Sequence, residues 1–285
     1  MRTLLRGLLA ALFVLGAPGL YAQPVGSVGS YVRYQKAAPA QFETSIVRMQ
    51  GPRGQVLDLV SAVHVGESAY YRELNDRFQH YDAVLYELIL PEEMAGQRLP
   101  TRMEGGGGLS TLQGMMAKTL GLTTQLDQVD YSSSNFVHAD LTQEALSKSM
   151  AARKESLWTY FQKMMSSADT SGAGADLGVS DQELAQIDFM AILAGMPSPK
   201  DRRTLRKIMA STLSSSGGAM GAMDDTALLV DRNQAALKAL DGQLAQGKRK
   251  MALFYGAAHM TDLELKLRKK GWKRTEVSWL KAWGI

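Results

Sequence analysis

His64 ends one apolar run, Glu87 interrupts a second and His259 follows a third, and these are the side chains whose types and placement offer chemistry. A carboxylate inside the run 83–89 is costly to cover unless a cation or hydrogen-bond donors meet it. His64, His259 or Arg232 supplies that partner, directly or through a metal ion. Two imidazoles and one carboxylate that leave a position open suit a divalent ion such as zinc, manganese or iron, which activates water for attack on a carbonyl. Glu67 is a weaker candidate, because an acid in the first turn of a helix is favoured there for its own sake.

The elements that must position these groups are legible around them. Residues 56–88 contain two short runs rich in Val and Leu, and between them Tyr71, Leu74, Phe78 and Tyr81 recur at helical spacing. Strand, helix, strand is the economical reading, with the two strands parallel. Ligands of open parallel sheets collect at the carboxyl ends of the strands, where His64 and Glu87 fall. The C-terminal region repeats the plan: an apolar run at 251–256, His259, a capping-box pattern of Thr261 with Glu264, one helix face bearing Leu263 and Leu267, and Gly271 before a last strand at 272–279. The expected fold is therefore α/β, with a mixed, largely parallel sheet formed from the N- and C-terminal strand-His-helix-strand units. A lone histidine at a strand end is usually structural, but the same placement in two units favours a shared site.

The Ser-Ala-Val-His of 61–64, the Tyr-Glu-Leu of 86–88, the pair Arg232 and Asn233, and the Gly-Ala-Ala-His of 256–259 occur in that order. Together they resemble the TraB/GumN/Tiki family, which is marked by two Gly-x-x-His motifs, an acid after the first and an arginine before the second. Ser61 stands where the first motif has glycine. The resemblance implies a metal-dependent hydrolase acting on peptide bonds, with His64, Glu87 and His259 as metal or acid–base residues. It also lifts Arg232 above a solvated helix charge, to a planar fork that holds a carboxylate or a developing oxyanion.

Residues 1–22 carry Arg2 and Arg6, an apolar core and a plausible cleavage site, the pattern of a secretory signal peptide rather than a membrane span. Its removal lowers the formal charge of +4 by two and leaves little basis for nucleic-acid binding. A periplasmic or secreted chain without a stable membrane span follows, and with no cysteine it relies on its own core. Residues 23–41 read as a flexible arm, and 42–285 as one domain. Within it, 42–50 reads as a half-covered edge strand and 55–64 as a central one, joined by a turn at 51–54. From about 91 to 250 strand patterns nearly vanish, and helices are expected at 109–120, 141–166, 181–193, 200–213 and 225–246, a helical insertion capping the sheet's carboxyl edge. Glycine runs at 105–108, 171–174 and 214–221 break it.

His80 reads as a helix-end cation, and His138 as part of a loop before a cap made by Asp140 with Gln143. The absence of cysteine excludes a thiol nucleophile, and neither a Gly-x-Ser-x-Gly elbow nor a Gly-Lys-Ser phosphate loop follows a strand. Two further classes compete with hydrolysis of a peptide or small-molecule substrate. One is a non-catalytic periplasmic binding protein for a metal, porphyrin or apolar ligand. The other is a helical module that meets a partner through methionines such as Met115, Met116, Met164, Met165, Met190 and Met196.

Overall fold

A computed structural model describes residues 31–101, 108–156, 159–160, 178–215 and 226–285. The expected signal peptide lies outside these residues, as do most of the glycine runs. In chain order the strands are β1 Val32–Gln35, β2 Gln41–Gln50, β3 Val56–Ala62, β4 Val65–Gly66, β5 Ala83–Tyr86, β6 Thr123–Thr124, β7 Phe136–His138, β8 Lys250–Gly256 and β9 Lys273–Gly284. The helices are α1 Ser68–Phe78, α2 Gly108–Leu120, α3 Gln125–Gln128, α4 Gln143–Ala152, α5 Asp181–Ala185, α6 Phe189–Leu193, α7 Pro199–Ser215, α8 Val230–Ala245 and α9 Ala257–Lys269. None of the described helices is long and apolar enough to cross a membrane.

The fold is α/β around a parallel centre. β8 lies between β3 and β5, parallel to both, and β7 adds parallel to β5. The two strands expected to run parallel do so, with the C-terminal strand inserted between them. β2 adds antiparallel to β3 and carries β9 along its other edge. β2 is thus an interior strand rather than the half-covered edge its alternation predicts, and Glu43, Thr44 and Ser45 are buried within it. Alternation reports a face, not an edge; one edge of β2 is taken by its neighbours β1 and β3, and the other by β9 from the far end of the chain. The expected flexible arm is likewise corrected where it is described. Residues 32–35 pair with 41–44 as β1, and buried Tyr31 donates to Glu264 of α9.

Side chains of each parallel strand divide between two cores. Val60, Ala62, Val84, Tyr86, Ala252 and Phe254 face α1 and its Tyr70, Tyr71, Leu74 and Phe78. Burying a side chain such as Leu74 or Phe78 contributes roughly 1.5–3 kcal/mol. Leu57, Leu59, Leu85, Met251 and Leu253 face Ala236, Leu237 and Leu240 of α8 and Leu263 and Leu267 of α9. Tyr81 falls beyond the end of α1, where its hydroxyl donates to Asp58 at 2.8 Å.

The helical insertion is divided rather than laid down as one cap. Residues of α2 and α7, among them Ala117, Leu120, Leu205 and Met209, join the first core, whereas α8 covers the second. Two strands also arise within it, and β7 enters the main sheet. The helix expected at 181–193 is two short ones, each opened by its own cap, Ser180 with Glu183 and Asp188.

Candidate functional site

Four parallel strands end side by side, and each delivers a polar residue to the same edge. His64 follows β3, Glu87 follows β5, Asp140 lies two residues past β7, and His259 lies three past β8. Around them Val63, Leu88, Ile89 and residues 256–258 are partly exposed, so the edge opens to solvent above buried carboxylates.

Glu87 is the centre. Its backbone amide continues the ladder to Phe254 O at 3.1 Å, which turns its side chain toward β8 and α8. One carboxylate oxygen accepts the Gly256 amide at 2.5 Å, at the N-terminus of α9 where partial positive charge favours an anion. The other accepts from Arg232 Nη2 at 2.7 Å and stands 3.5 Å from His259 Nε2. Glycine suits this close approach: a Cβ at 256 would meet Glu87 Oε2 at 3.2 Å, tighter than an ordinary contact. Burial alone pushes the Glu87 carboxyl up, but Arg232, then His259 and His64, outweigh it and hold it well below the usual carboxylate range.

Arg232 and Asn233 come from the first turns of α8, both buried. The guanidinium meets Asp140 edge-on, Nε to Oδ1 at 2.9 Å and Nη2 to Oδ2 at 2.6 Å, in addition to Glu87. The anions in its fork are the protein's own carboxylates, Glu87 and Asp140, which it holds in place. Asn233 orients His259. Its Nδ2 donates to Asp262 at 2.7 Å, and a carboxylate only accepts, so the amide oxygen is the atom facing His259 Nδ1 at 2.7 Å. Nδ1 must then carry a proton, which leaves Nε2 as the nitrogen that faces Glu87. Tyr255 packs edge-on against the same ring at 5.3 Å and donates to Ala139 O.

His64 is partly exposed as a residue, yet its Nε2 is buried and has no partner among the described residues. Burial pushes this imidazole below its ordinary range; the Glu87 carboxylate opposes that, and Arg232 and His259 reinforce it. The two histidines and Glu87 thus share one electrostatic neighbourhood. Ser61 turns its side chain to β2, with Oγ 3.4 Å from Ser45 Oγ.

The lesser candidates have local roles. Glu67 precedes α1 and accepts from Gly284 N at 2.9 Å, anchoring β9 instead of charging the first turn. His80 bonds Asp76 O, and His138 Nε2 bonds Leu88 O at 2.7 Å, which braces the segment after Glu87. The capping box of Thr261 with Glu264 does not form: α9 begins a turn earlier at Ala257, and Glu264 is buried against Tyr31, Arg268 and Arg274. Asp140, expected as a helix cap, is the second anion of the Arg232 fork, and Thr142 caps α4 instead. Sequence reasoning places neither Asp140 nor Tyr255 in the site; the one signal is an acid just beyond a very short apolar run.

Among the described residues no three His, Asp or Glu side chains close on a common point that could hold a metal ion. The donor types nevertheless suit one: a buried His64 Nε2 without a partner among the described residues, the His259 Nε2 turned toward Glu87, and the Glu87 carboxylate. Glu87 and Asp140 also outnumber Arg232 by one charge in a desolvated site. Comparison with protein-family models, curated proteins and solved structures finds no match to this chain.

Proposed function

We propose that this strand edge is the centre of a metal-dependent hydrolase, with His64, His259 and Glu87 as the groups that hold a divalent ion of the zinc, manganese or iron class. The observation that carries the reading is the orientation of the His259 ring. Asn233, itself oriented by Asp262, commits Nδ1 to donation and turns Nε2 to Glu87 Oε1 across 3.5 Å, so that this nitrogen, the buried Nε2 of His64 and the carboxylate are available to one cation. Outer hydrogen bonds of this kind are what orient metal-binding imidazoles elsewhere. When bound, such an ion polarises a carbonyl and makes water nucleophilic at neutral pH.

The chain's own groups do the rest. Arg232 and the Gly256 amide keep Glu87 ionised, so it would offer such an ion a charged oxygen ligand. Asp140 holds the Arg232 fork in place, and Tyr255 fixes the His259 ring. The resemblance to TraB/GumN/Tiki proteins adds peptide bonds as the substrate and export to the periplasm or exterior as the setting. Elemental analysis before and after chelation, followed by a peptide-library assay of the loaded protein, tests this. One equivalent of metal with chelator-sensitive cleavage is expected; a metal-free protein that gains no activity with added zinc, manganese or iron contradicts it. The second reading, a binding protein without turnover, draws on the exposed Met115, Met190, Leu193 and Met196 of the helical region. It predicts retained metal or apolar ligand and no cleavage.

A further inference from the structure

Residues 189–196 read Phe-Met-Ala-Ile-Leu-Ala-Gly-Met, eight in a row without a polar side chain, and they form α6 and the turn after it. One face of the helix meets a small core of its own: Phe189 and Ile192 pack on Leu184, Ile187 and Ile208. Met190 and Leu193, a turn apart on the other face, are each 74% exposed, and Met196 is 72% exposed. Six large apolar side chains are exposed among the described residues, and three of them fall within these seven positions, 190–196. Single exposed apolar groups are ordinary, but a cluster of them marks a surface that meets something.

The cluster has a basic border. Lys118 stands beside it, because a Cβ at Gly195 would lie 3.9 Å from its Nζ. Met115 and Lys118, a turn apart on α2, are both exposed, so the apolar surface and its charge continue onto a second helix. Beyond the turn, α7 opens with Lys200, Arg202 and Arg203, of which Lys200 and Arg203 are exposed. The acids of the same stretch are engaged within the fold: Asp188 caps α6 by accepting from Ala191 N, and buried Asp201 accepts from Asp188 N and from Ser198. Flexible Met and Leu side chains inside a border of Lys and Arg complement a lipid surface, where apolar groups sink below the headgroups and cations stay among anionic phosphates.

We propose that α6, together with Met115 and Lys118 of α2 and the start of α7, docks this protein on the surface of a bilayer that carries anionic phospholipid. The docking does not depend on the reaction assigned to the strand edge. The test is flotation of the full chain with vesicles of phosphatidylcholine alone, or of phosphatidylcholine and phosphatidylglycerol in equal parts. Wild type is expected to partition about tenfold or more tightly onto the anionic vesicles and to lose that preference in high salt. Leu193→Asp, at a side chain already in water, should lower partitioning onto the anionic vesicles about tenfold or more while the thermal unfolding midpoint holds. Lys118→Glu with Arg203→Glu should bring the two vesicle types to nearly equal affinity, and it tests the proposal independently if Leu193→Asp does not fold. Because the apolar core of residues 1–22 enters lipid by itself, the comparison of the variants with wild type decides. Partitioning unchanged in both variants, or a wild type without preference for anionic lipid, overturns the proposal. So does a wild type that forms dimers without lipid and is returned to monomer by Leu193→Asp, since the surface would then belong to a second copy of the chain.

Discussion

Replacing Glu87 with Gln separates a metal site from a structural ion pair, because it keeps the shape and removes the charge. In the native site the carboxylate accepts from Arg232 Nη2 at 2.7 Å and from Gly256 N at 2.5 Å. In Glu87→Gln the new side-chain oxygen still accepts from Gly256, but the amide nitrogen then faces a guanidinium donor. Arg232 keeps its two-pronged contact with Asp140, so its charge is not stranded. The loss should therefore fall near the lower end of the roughly 3–5 kcal/mol typical of a broken buried pair. For a chain of this size that corresponds to a midpoint lowered by roughly 6–12 °C. The assay is thermal unfolding of wild type and Glu87→Gln, each with chelator and with added zinc or manganese. If Glu87 helps hold an ion, metal raises the wild-type midpoint and raises that of the variant much less, so the gap between them widens. An equal gap in both conditions, with metal content unchanged, refutes the reasoning and leaves only the salt bridge.

Asn233→Ala frees the His259 ring to change tautomer and should weaken metal binding by about 10–100-fold, read by competition with a chromogenic chelator; unaltered affinity would mean that the Asn233 contact only packs the helix. Phe78→Ala removes a ring buried against Phe136 and Phe254 and should cost about 3–5 kcal/mol in urea unfolding without altering the metal stoichiometry of the folded protein. Glu183, brought down to about 2 by Lys207 and the Ser180 cap, supports α5 above the ordinary carboxylate pKa of 4.5 and loses that support as pH falls through about 2. Because its side chain is 35% exposed, solvent screening limits the effect to at most about 1 kcal/mol. Glu183→Gln should thus leave unfolding free energy nearly unchanged at pH 7 and flatten its decline below pH 4; an undiminished decline would place the acid sensitivity elsewhere.

What could be seen from the sequence follows the physics of local pattern. The β3–α1–β5 unit is legible because Tyr71, Leu74 and Phe78 recur at helical spacing between two apolar runs, and Glu87 because a carboxylate in such a run demands a partner. β7 is only three residues long and carries no measurable period, so Asp140 at its end looks like an ordinary cap. The start of α9 is misplaced for a related reason. Thr261 and Glu264 satisfy a local rule, but the Gly256 amide is captured by Glu87 from 169 residues away, and that anchor sets the first turn. Arg232 shows the same limit from the other side: a single charge on a helix announces nothing about the two carboxylates that fill its fork. Local signals find the strands and the costly residue, while the partners that satisfy it come from segments with no local signature.

The claim that His64, Glu87 and His259 hold one ion is tested most directly by X-ray absorption at the metal edge of the zinc- or manganese-loaded protein. The spectrum should carry the outer-shell scattering of two imidazoles together with a carboxylate oxygen, and His64→Ala and His259→Ala should each remove one imidazole's share. A loaded wild-type protein whose spectrum contains no imidazole scattering, or one that both variants leave unchanged, would contradict the site.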